Sequence, residues 1–236
     1  MRRTTLLAAA WLTGVFATGT ALGQPTLVLD SFEDQFAGSG SGGSLETLGA
    51  GSMDQSNQTG LGSVLGFVRD AALEQVSGAS GASGTISAGN GVLSLSTGPQ
   101  VEAQLTLTYA LDSIDVTDGG ALDRLSFDVL FSDAGAPEVG PLHFDITLDD
   151  GAAASTQRVT LSSAVNTGTG PVTLSAFLSD FAAEGVDLTS IDTASFVLGA
   201  QGTAGDTTIG AVSFVPAPST AAALGLFGLA AARRRR

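Results

Sequence analysis

Carboxylates are the most abundant ionisable side chains in this sequence. The chain has 23 Asp and Glu residues, a single His and no Cys. An oxygen-rich, thiol-free set of this kind suits Ca²⁺, whereas zinc sites need thiolates or several imidazoles. If the first and last strands of the fold lie side by side, Glu33 and Asp34 come near Asp206. These three residues are therefore candidate ligands of a structural calcium, whereas solvated loop acids are the favoured interpretation.

The only histidine, His143, limits the catalytic chemistry available to the chain. Any Ser-His-Asp triad would have to use it, and no G-x-S-x-G segment occurs. His143 lies two residues before Asp145 on the polar side of an alternating stretch, which favours a solvent-facing strand histidine. A glycosidase needs only two carboxylates, so a carboxylate-dependent hydrolase stays open as a third hypothesis. The main interpretation is a non-enzymatic protein.

Aromatic faces, on which sugar rings commonly stack, are scarce. Trp11 is the only Trp and falls in the apolar N-terminal segment, and Tyr109 is the only Tyr. Tyr109 ends an inward-facing series, so we expect it in the core. Carbohydrate binding would then depend on Asn, Asp and Gly residues in loops, and it remains an alternative.

The elements that must position these side chains are mainly strands. Apolar and polar residues alternate over 101–109, 124–131 and 142–148, the pattern of half-buried strands. Asp149-Asp150-Gly151 then supplies a hairpin turn before a further alternation over 157–161. Weaker strands are predicted at 26–30, 64–68, 92–95, 172–174, 194–198 and 209–215. Around ten short strands predict an all-β fold, a single jelly-roll-like β-sandwich.

One short helix and two loose stretches interrupt the strands. Phe177 and Phe181 are four residues apart in 175–185, which predicts a helix that Gly185 ends and that covers an open end of the sandwich. Gly and Ser dominate 38–44 and 77–84, and the polar stretch SMDQSNQTG, 52–60, continues the first of them. We expect these segments to be loops.

The N-terminal segment has the composition of a secretory signal peptide. Arg2 and Arg3 precede an apolar stretch, and small residues lead to Gly23 and Gln24, between which cleavage is predicted. This gives three regions: a signal peptide over 1–23, a β-sandwich domain over 24–215 and a sorting tail over 216–236. An uncleaved N-terminal anchor is the alternative.

The C-terminal segment combines a chain break, an apolar run and a basic cluster. Val215-Pro216-Ala217-Pro218 cannot continue a strand. The uncharged run 221–232 would span roughly 18 Å as a helix, short of the hydrocarbon core of a membrane. It is followed by Arg233, Arg234, Arg235 and Arg236, which would stay on the cytoplasmic side.

These two ends together resemble the PEP-CTERM class of exported bacterial proteins. In this sequence the motif is Val215-Pro216-Ala217-Pro218, with Ala217 where the class usually has glutamate. The resemblance implies export through a Gram-negative envelope, transient membrane contact of the tail at the inner membrane and processing by an exosortase-like enzyme. The stretches LVLDSFED and DTTIGAVSF are similar in rhythm to exported jelly-roll modules, many of which resemble carbohydrate-binding or lectin-like domains.

Charge further narrows the choice of partners. Between residues 24 and 215 three arginines face 23 acids, a net charge of −20, and the chain has no Lys. Such a surface repels nucleic acid, so we expect no nucleic-acid partner. The sequence predicts an envelope- or matrix-associated structural or adhesive protein. Its partners would be the export machinery and extracellular polysaccharide, and the alternative is a carbohydrate-binding module with structural calcium.

Overall fold

The structure is a computed structural model that describes residues 26–38, 40, 43–78, 83–134, 136, 140–166, 168–200 and 205–217. The predicted signal peptide with Gly23 and Gln24, and the tail from Pro218 through Arg236, lie outside these residues. Strands account for most of the described chain, in chain order β1 Leu27–Asp30, β2 Leu45–Leu48, β3 Met53–Thr59, β4 Val68–Ser77, β5 Ser83–Gly89, β6 Val92–Thr97, β7 Glu102–Ile114, β8 Arg124–Ser132, β9 Leu142–Asp149, β10 Ala154–Leu161, β11 Val172–Phe177, β12 Ile191–Ala200 and β13 Asp206–Val215.

Two antiparallel sheets pack face to face. Sheet A has the order β11-β8-β13-β6-β5-β2, with β1 also paired to β13. Sheet B has the order β10-β9-β12-β7-β4-β3. β6 pairs with the first half of β13 and β1 with its second half, so the first and last strands are neighbours, as predicted. The predicted all-β sandwich of jelly-roll type is confirmed.

The core lies between the sheets and is built from the inward side of the alternating strands. Phe127 of sheet A contacts Phe144 and Phe196 of sheet B, with ring centroids 4.8 and 5.1 Å apart. Tyr109 is fully buried, as the sequence predicts. The hairpin is also confirmed, because β9 and β10 pair along their whole length and Gly151 turns between them at φ +80°.

Several strands were not predicted, because their sequences lack apolar alternation. β3 covers part of the polar stretch expected as loop, and Ser56 is its only buried residue. β3 is an edge strand of sheet B and pairs with β4 alone. One of its edges and its outward face therefore do not pack against the rest of the fold, and few apolar residues are needed. The expected strand at 64–68 is instead an isolated bridge at Val64 followed by a 3-10 turn, Leu65–Phe67.

The helix is shorter than predicted. α1 runs over Leu178–Ala183, and β11 extends to Phe177. Phe181 is buried, but Phe177 is exposed on the strand, so the expected Phe177–Phe181 face does not form. Gly185 follows the helix at φ +98°, consistent with the predicted stop. Among the residues that the structure describes, no helix is long and apolar enough to cross a membrane.

Candidate functional site

The outward face of sheet B is mainly polar where it follows β12. Because strand residues alternate between faces, the partly exposed positions of β12 face away from the core. These outward residues are small: Thr193, Ser195, Val197 and Gly199. An added Cβ on Gly199 would meet only the Cγ of Gln104, at 4.0 Å, among the described atoms. Among the described residues, no side chain other than Gln104 comes close above this glycine.

Polar side chains of β9 and β7 border these β12 residues in register. The row through Gly199 places His143 of β9 on one side and Gln104 of β7 on the other. The next rows along β12 are Asp145–Val197–Thr106 and Thr147–Ser195–Thr108. Neighbouring strands lie about 4.8 Å apart, so the two borders are separated by roughly 10 Å. We call these nine residues the sheet B trough.

His143 stands at one end of this border and is half-buried. Its Nδ1 lies 3.2 Å from the Thr160 hydroxyl, and its Nε2 is buried with no hydrogen-bond partner in the described chain. A polar atom left in this state is commonly satisfied by an ordered water or a ligand. The prediction of a strand histidine on the polar face is confirmed, although the ring is less exposed than expected.

Asp145 is engaged by Arg158 of β10 rather than by His143. The guanidinium donates from Nε and Nη2 to the two carboxylate oxygens, each at 2.7 Å. These bonds hold the pKa of Asp145 below its usual value. Because the carboxylate is committed to Arg158, it does not orient His143, and the arrangement lacks the geometry of a Ser-His-Asp triad.

Two of the three predicted calcium ligands lie together in the chain, at one end of β6. An oxygen of Glu33 would lie 3.4 Å from a Cβ placed on Gly91, at the turn between β5 and β6. Asp34 accepts hydrogen bonds from the Ser63 backbone and hydroxyl, at 3.2 and 2.7 Å. Both residues are therefore tied to loops near the start of β6.

The third predicted ligand, Asp206, lies at the other end of β6. It pairs with Ser96, about 16 Å along the strand from Gly91, and its backbone N–H donates to Asp133. The first and last strands do pair, but through the second half of β13, which carries Asp206 away from Glu33. The described residues contain no group of three or more His, Cys, Asp or Glu side chains able to hold a metal. Calcium binding stays a prediction of the sequence.

A buried polar network joins the two sheets, and sequence reasoning missed it. Arg69 of β4 is fully buried and donates from Nη1 to Asp30 of β1, at 2.9 Å. Its Nη2 donates to the Asp34 carbonyl and to Gln58, and its guanidinium lies 4.7 Å from the Phe36 ring centroid. The sequence did contain a signal for the burial of Arg69. Arg69 lies two residues before Ala71 and four before Leu73, so it falls on the same inward strand face as these apolar residues.

Burial sets the protonation behaviour of this network. Desolvation raises the pKa of Asp30, although the Arg69 charge and several hydrogen bonds act against it. The Tyr109 hydroxyl donates to the same carboxylate at 3.2 Å, and burial followed by the Asp30 charge raises the pKa of Tyr109 well above its usual value. The network is closed off from solvent, so it acts on stability rather than on a ligand.

The chain matches no protein-family model, and no curated protein is significantly similar to it. Its fold is similar to that of several solved structures. A family 11 carbohydrate-binding module from Clostridium thermocellum, in complex with a β-1,3-1,4-mixed-linked tetrasaccharide, is 16% identical with a TM-score of 0.39, over 81% of this chain and 96% of that one. A family 30 carbohydrate-binding module of a cellulosomal cellulase from the same organism is 12% identical with a TM-score of 0.44, over 83% and 99%.

A third similar structure belongs to a larger protein. An exo-beta-agarase is 13% identical with a TM-score of 0.38, over 63% of this chain and 23% of that one. The two-sheet fold of the present chain is established by its own strand pairing.

Proposed function

We propose that this protein is a non-catalytic carbohydrate-binding protein that holds a neutral polysaccharide chain in the sheet B trough. The observation that carries the proposal is the open space above Gly199, between His143 and Gln104. A sugar ring fits a slot of this kind, with hydrogen-bonding groups on both sides and, at Gly199, no side chain on the floor.

The side chains along the trough suit sugar hydroxyls. Gln104 offers both a donor and an acceptor in one plane, and the Thr and Ser hydroxyls can act as either. Arg158 retains donors that its bond to Asp145 does not use. From Gly199 to Ser195 the floor extends about 13 Å, which suits two or three linked sugars better than one.

Charge favours a neutral glycan over an acidic one. Apart from the paired Arg158, the charged side chains near the trough are acidic, Asp70 and Glu74 on the outward face of β4 among them. The 24–215 region as a whole carries a net charge of −20. An anionic polysaccharide would be repelled before reaching the trough.

The ends of the sequence supply the setting for this function. With the predicted signal peptide and PEP-CTERM-like tail, the protein would act outside the cytoplasmic membrane and attach to extracellular polysaccharide. The structural or adhesive role expected from the sequence is then the consequence of glycan binding. Intact-mass measurement of the envelope-associated protein tests this setting, since we expect cleavage before Gln24 and loss of Arg233–Arg236.

The direct test of function obstructs the trough. The backbone of Gly199 lies outside the left-handed region, so Gly199→Val is compatible with the strand and fills the slot. We expect the wild-type full chain to bind at least one of a panel of neutral polysaccharides saturably in calorimetric titration. This binding should be seen both with added calcium and with a chelator. Gly199→Val should weaken that binding at least about tenfold, the effect of disrupting a central contact.

The matched control is Gly210→Val on the outward face of sheet A. An added Cβ there meets atoms of Asp128 and Leu130 only at 3.9 to 4.0 Å, so the substitution is equally compatible with the strand. It should leave glycan affinity and the melting temperature unchanged. Equal binding by the wild type and Gly199→Val, or no binding to any neutral polysaccharide, would contradict the proposal.

A further inference from the structure

A separate cleft opens at one end of the sandwich, between sheet A and the end of β7. Its volume is about 570 Å³, within the range of small-molecule pockets. It is lined mainly by apolar side chains from β1, the 3-10 turn and β7, namely Val28, Leu65, Phe67, Leu111 and Ile114. It shares no described residue with the sheet B trough.

Phe67 presents an aromatic ring at the mouth of this cleft. Its side chain is 62% exposed, and its backbone is left-handed at φ +63°, a costly conformation for a bulky residue. The backbone is held there by hydrogen bonds of Phe67 N–H to Val64 and of Leu61 N–H to the Phe67 carbonyl, both 3.1 Å. These bonds fix the backbone that carries the exposed ring beside the cleft.

Asp112 supplies the negative charge. It is the one charged residue among the described residues that line the cleft, and it is exposed with no hydrogen bond or ion pair to the described chain. The other polar side chains of the lining are already engaged, because Ser31 donates to the Ser63 carbonyl and Ser63 donates to Asp34. Asp112 is thus the one unpaired charged residue among the described residues of a mainly apolar cleft.

We propose that this cleft binds an amine-bearing sugar ring, with the apolar ring face on Phe67 and the ammonium on Asp112. The ammonium pairs with a carboxylate that has no other partner, and its attraction to the aromatic face adds to that pairing. The net charge of −20 over 24–215 concentrates cations near the protein. A neutral sugar would leave Asp112 without a counter-charge, and a simple amine would leave the apolar lining uncovered.

The test compares two ligands that differ in charge and share one ring. Ligand-observed NMR on the full chain would measure binding of glucosamine and of N-acetylglucosamine. We expect glucosamine to bind, N-acetylglucosamine to bind at least several-fold more weakly, and glucosamine affinity to fall with rising salt. Asp112→Asn should weaken glucosamine binding about tenfold, the size of one charge-assisted hydrogen bond. Phe67→Ala should weaken it several-fold.

Two control variants separate the site from general effects. Asp118→Asn is the control for the charge, because Asp118 is exposed and left-handed at φ +47°, as Asp112 is at φ +53°. Phe131→Ala is the control for the ring, because Phe131 is an exposed aromatic residue on β8. Both should bind glucosamine like the wild type. Equal affinity for the two sugars would overturn the proposal, as would unchanged glucosamine binding in both cleft variants with wild-type melting temperatures. Gly199→Val should leave glucosamine binding intact, so failure of the trough proposal is distinguishable from failure of this one.

Discussion

Arg69 and Asp30 form a fully buried ion pair between the two sheets, so removing either charge leaves the other unpaired in the core. Asp30→Asn keeps the shape of the side chain and removes its charge. We expect a loss of about 3–5 kcal/mol in the free energy of unfolding, measured by urea denaturation. The double variant Asp30→Asn with Arg69→Met should recover part of that loss. A double variant less stable than Asp30→Asn alone would contradict this account.

Asp150 makes stability depend on pH. Its carboxylate accepts hydrogen bonds from the backbone N–H groups of Ala152, Ala153 and Asp187, which lower its pKa. A carboxyl with a depressed folded-state pKa stabilises the fold above its unfolded pKa, about 3.9, and loses that effect as pH falls through the folded value. Asp150→Ala should therefore melt below the wild type at pH 7, and the difference should shrink below about pH 4.

The control for this pH dependence is Asp70→Ala, on the exposed face of β4. The Asp70 carboxylate makes no hydrogen bond within the described chain, so its replacement should change the melting temperature little at either pH. A constant difference between Asp150→Ala and the wild type from pH 7 to pH 3 would contradict the assigned role of the carboxylate.

At the scale of elements, the 3-10 turn and β7 meet too closely for a side chain at Gly66. Gly66 is left-handed at φ +76°, and an added Cβ would overlap the carbonyl oxygen of Ala110. Gly66→Ala should lower the free energy of unfolding by about 1–3 kcal/mol, through backbone strain and displacement of the turn. Gly62→Ala is the matched control, because its added Cβ would meet nothing within 4 Å and its backbone is not left-handed. Equal stability of the two variants in urea denaturation would contradict this.

The pairing of β13 decides whether the predicted calcium ligands lie close to one another. One strand borders β6 over its first half and β1 over its second, with irregular register after Ile209. Asp206 therefore falls beside β6, whereas the loop that carries Glu33 follows β1. Pairing of first and last strands was predictable from the fold type, but which halves pair was not.

At the scale of the whole molecule, the acidic surface should select ligands by charge. The 24–215 region holds three arginines against 23 acids. Binding of a neutral polysaccharide should change little between low and high salt, because no net ion pairing drives it. An anionic polysaccharide should not bind at low salt, where repulsion is least screened, and affinity electrophoresis should then show no retardation. Binding of an anionic polysaccharide that weakens with salt would place a basic site on the molecule and contradict the prediction.

The sequence by itself determined the fold class, most of the long strands and the core position of Tyr109. Each of these depends on local information, because an alternation of apolar and polar residues with period two indicates which side of a strand faces inward. The Asp149–Gly151 turn likewise joins strands that are adjacent in the chain. The polar β3 carried no such signal, because an edge strand needs few apolar residues. The signal peptide and the sorting tail remain predictions.

The tertiary structure alone decided which outward residues share a row and which charges are buried. His143, Gly199 and Gln104 are far apart in the chain, and only the register of β9, β12 and β7 brings them together. The same holds for Arg69, whose partner Asp30 reaches it across the core from the opposite sheet. Local periodicity fixes the facing of each residue, but the register between strands is set by non-local pairing, which a single sequence does not encode in any local pattern.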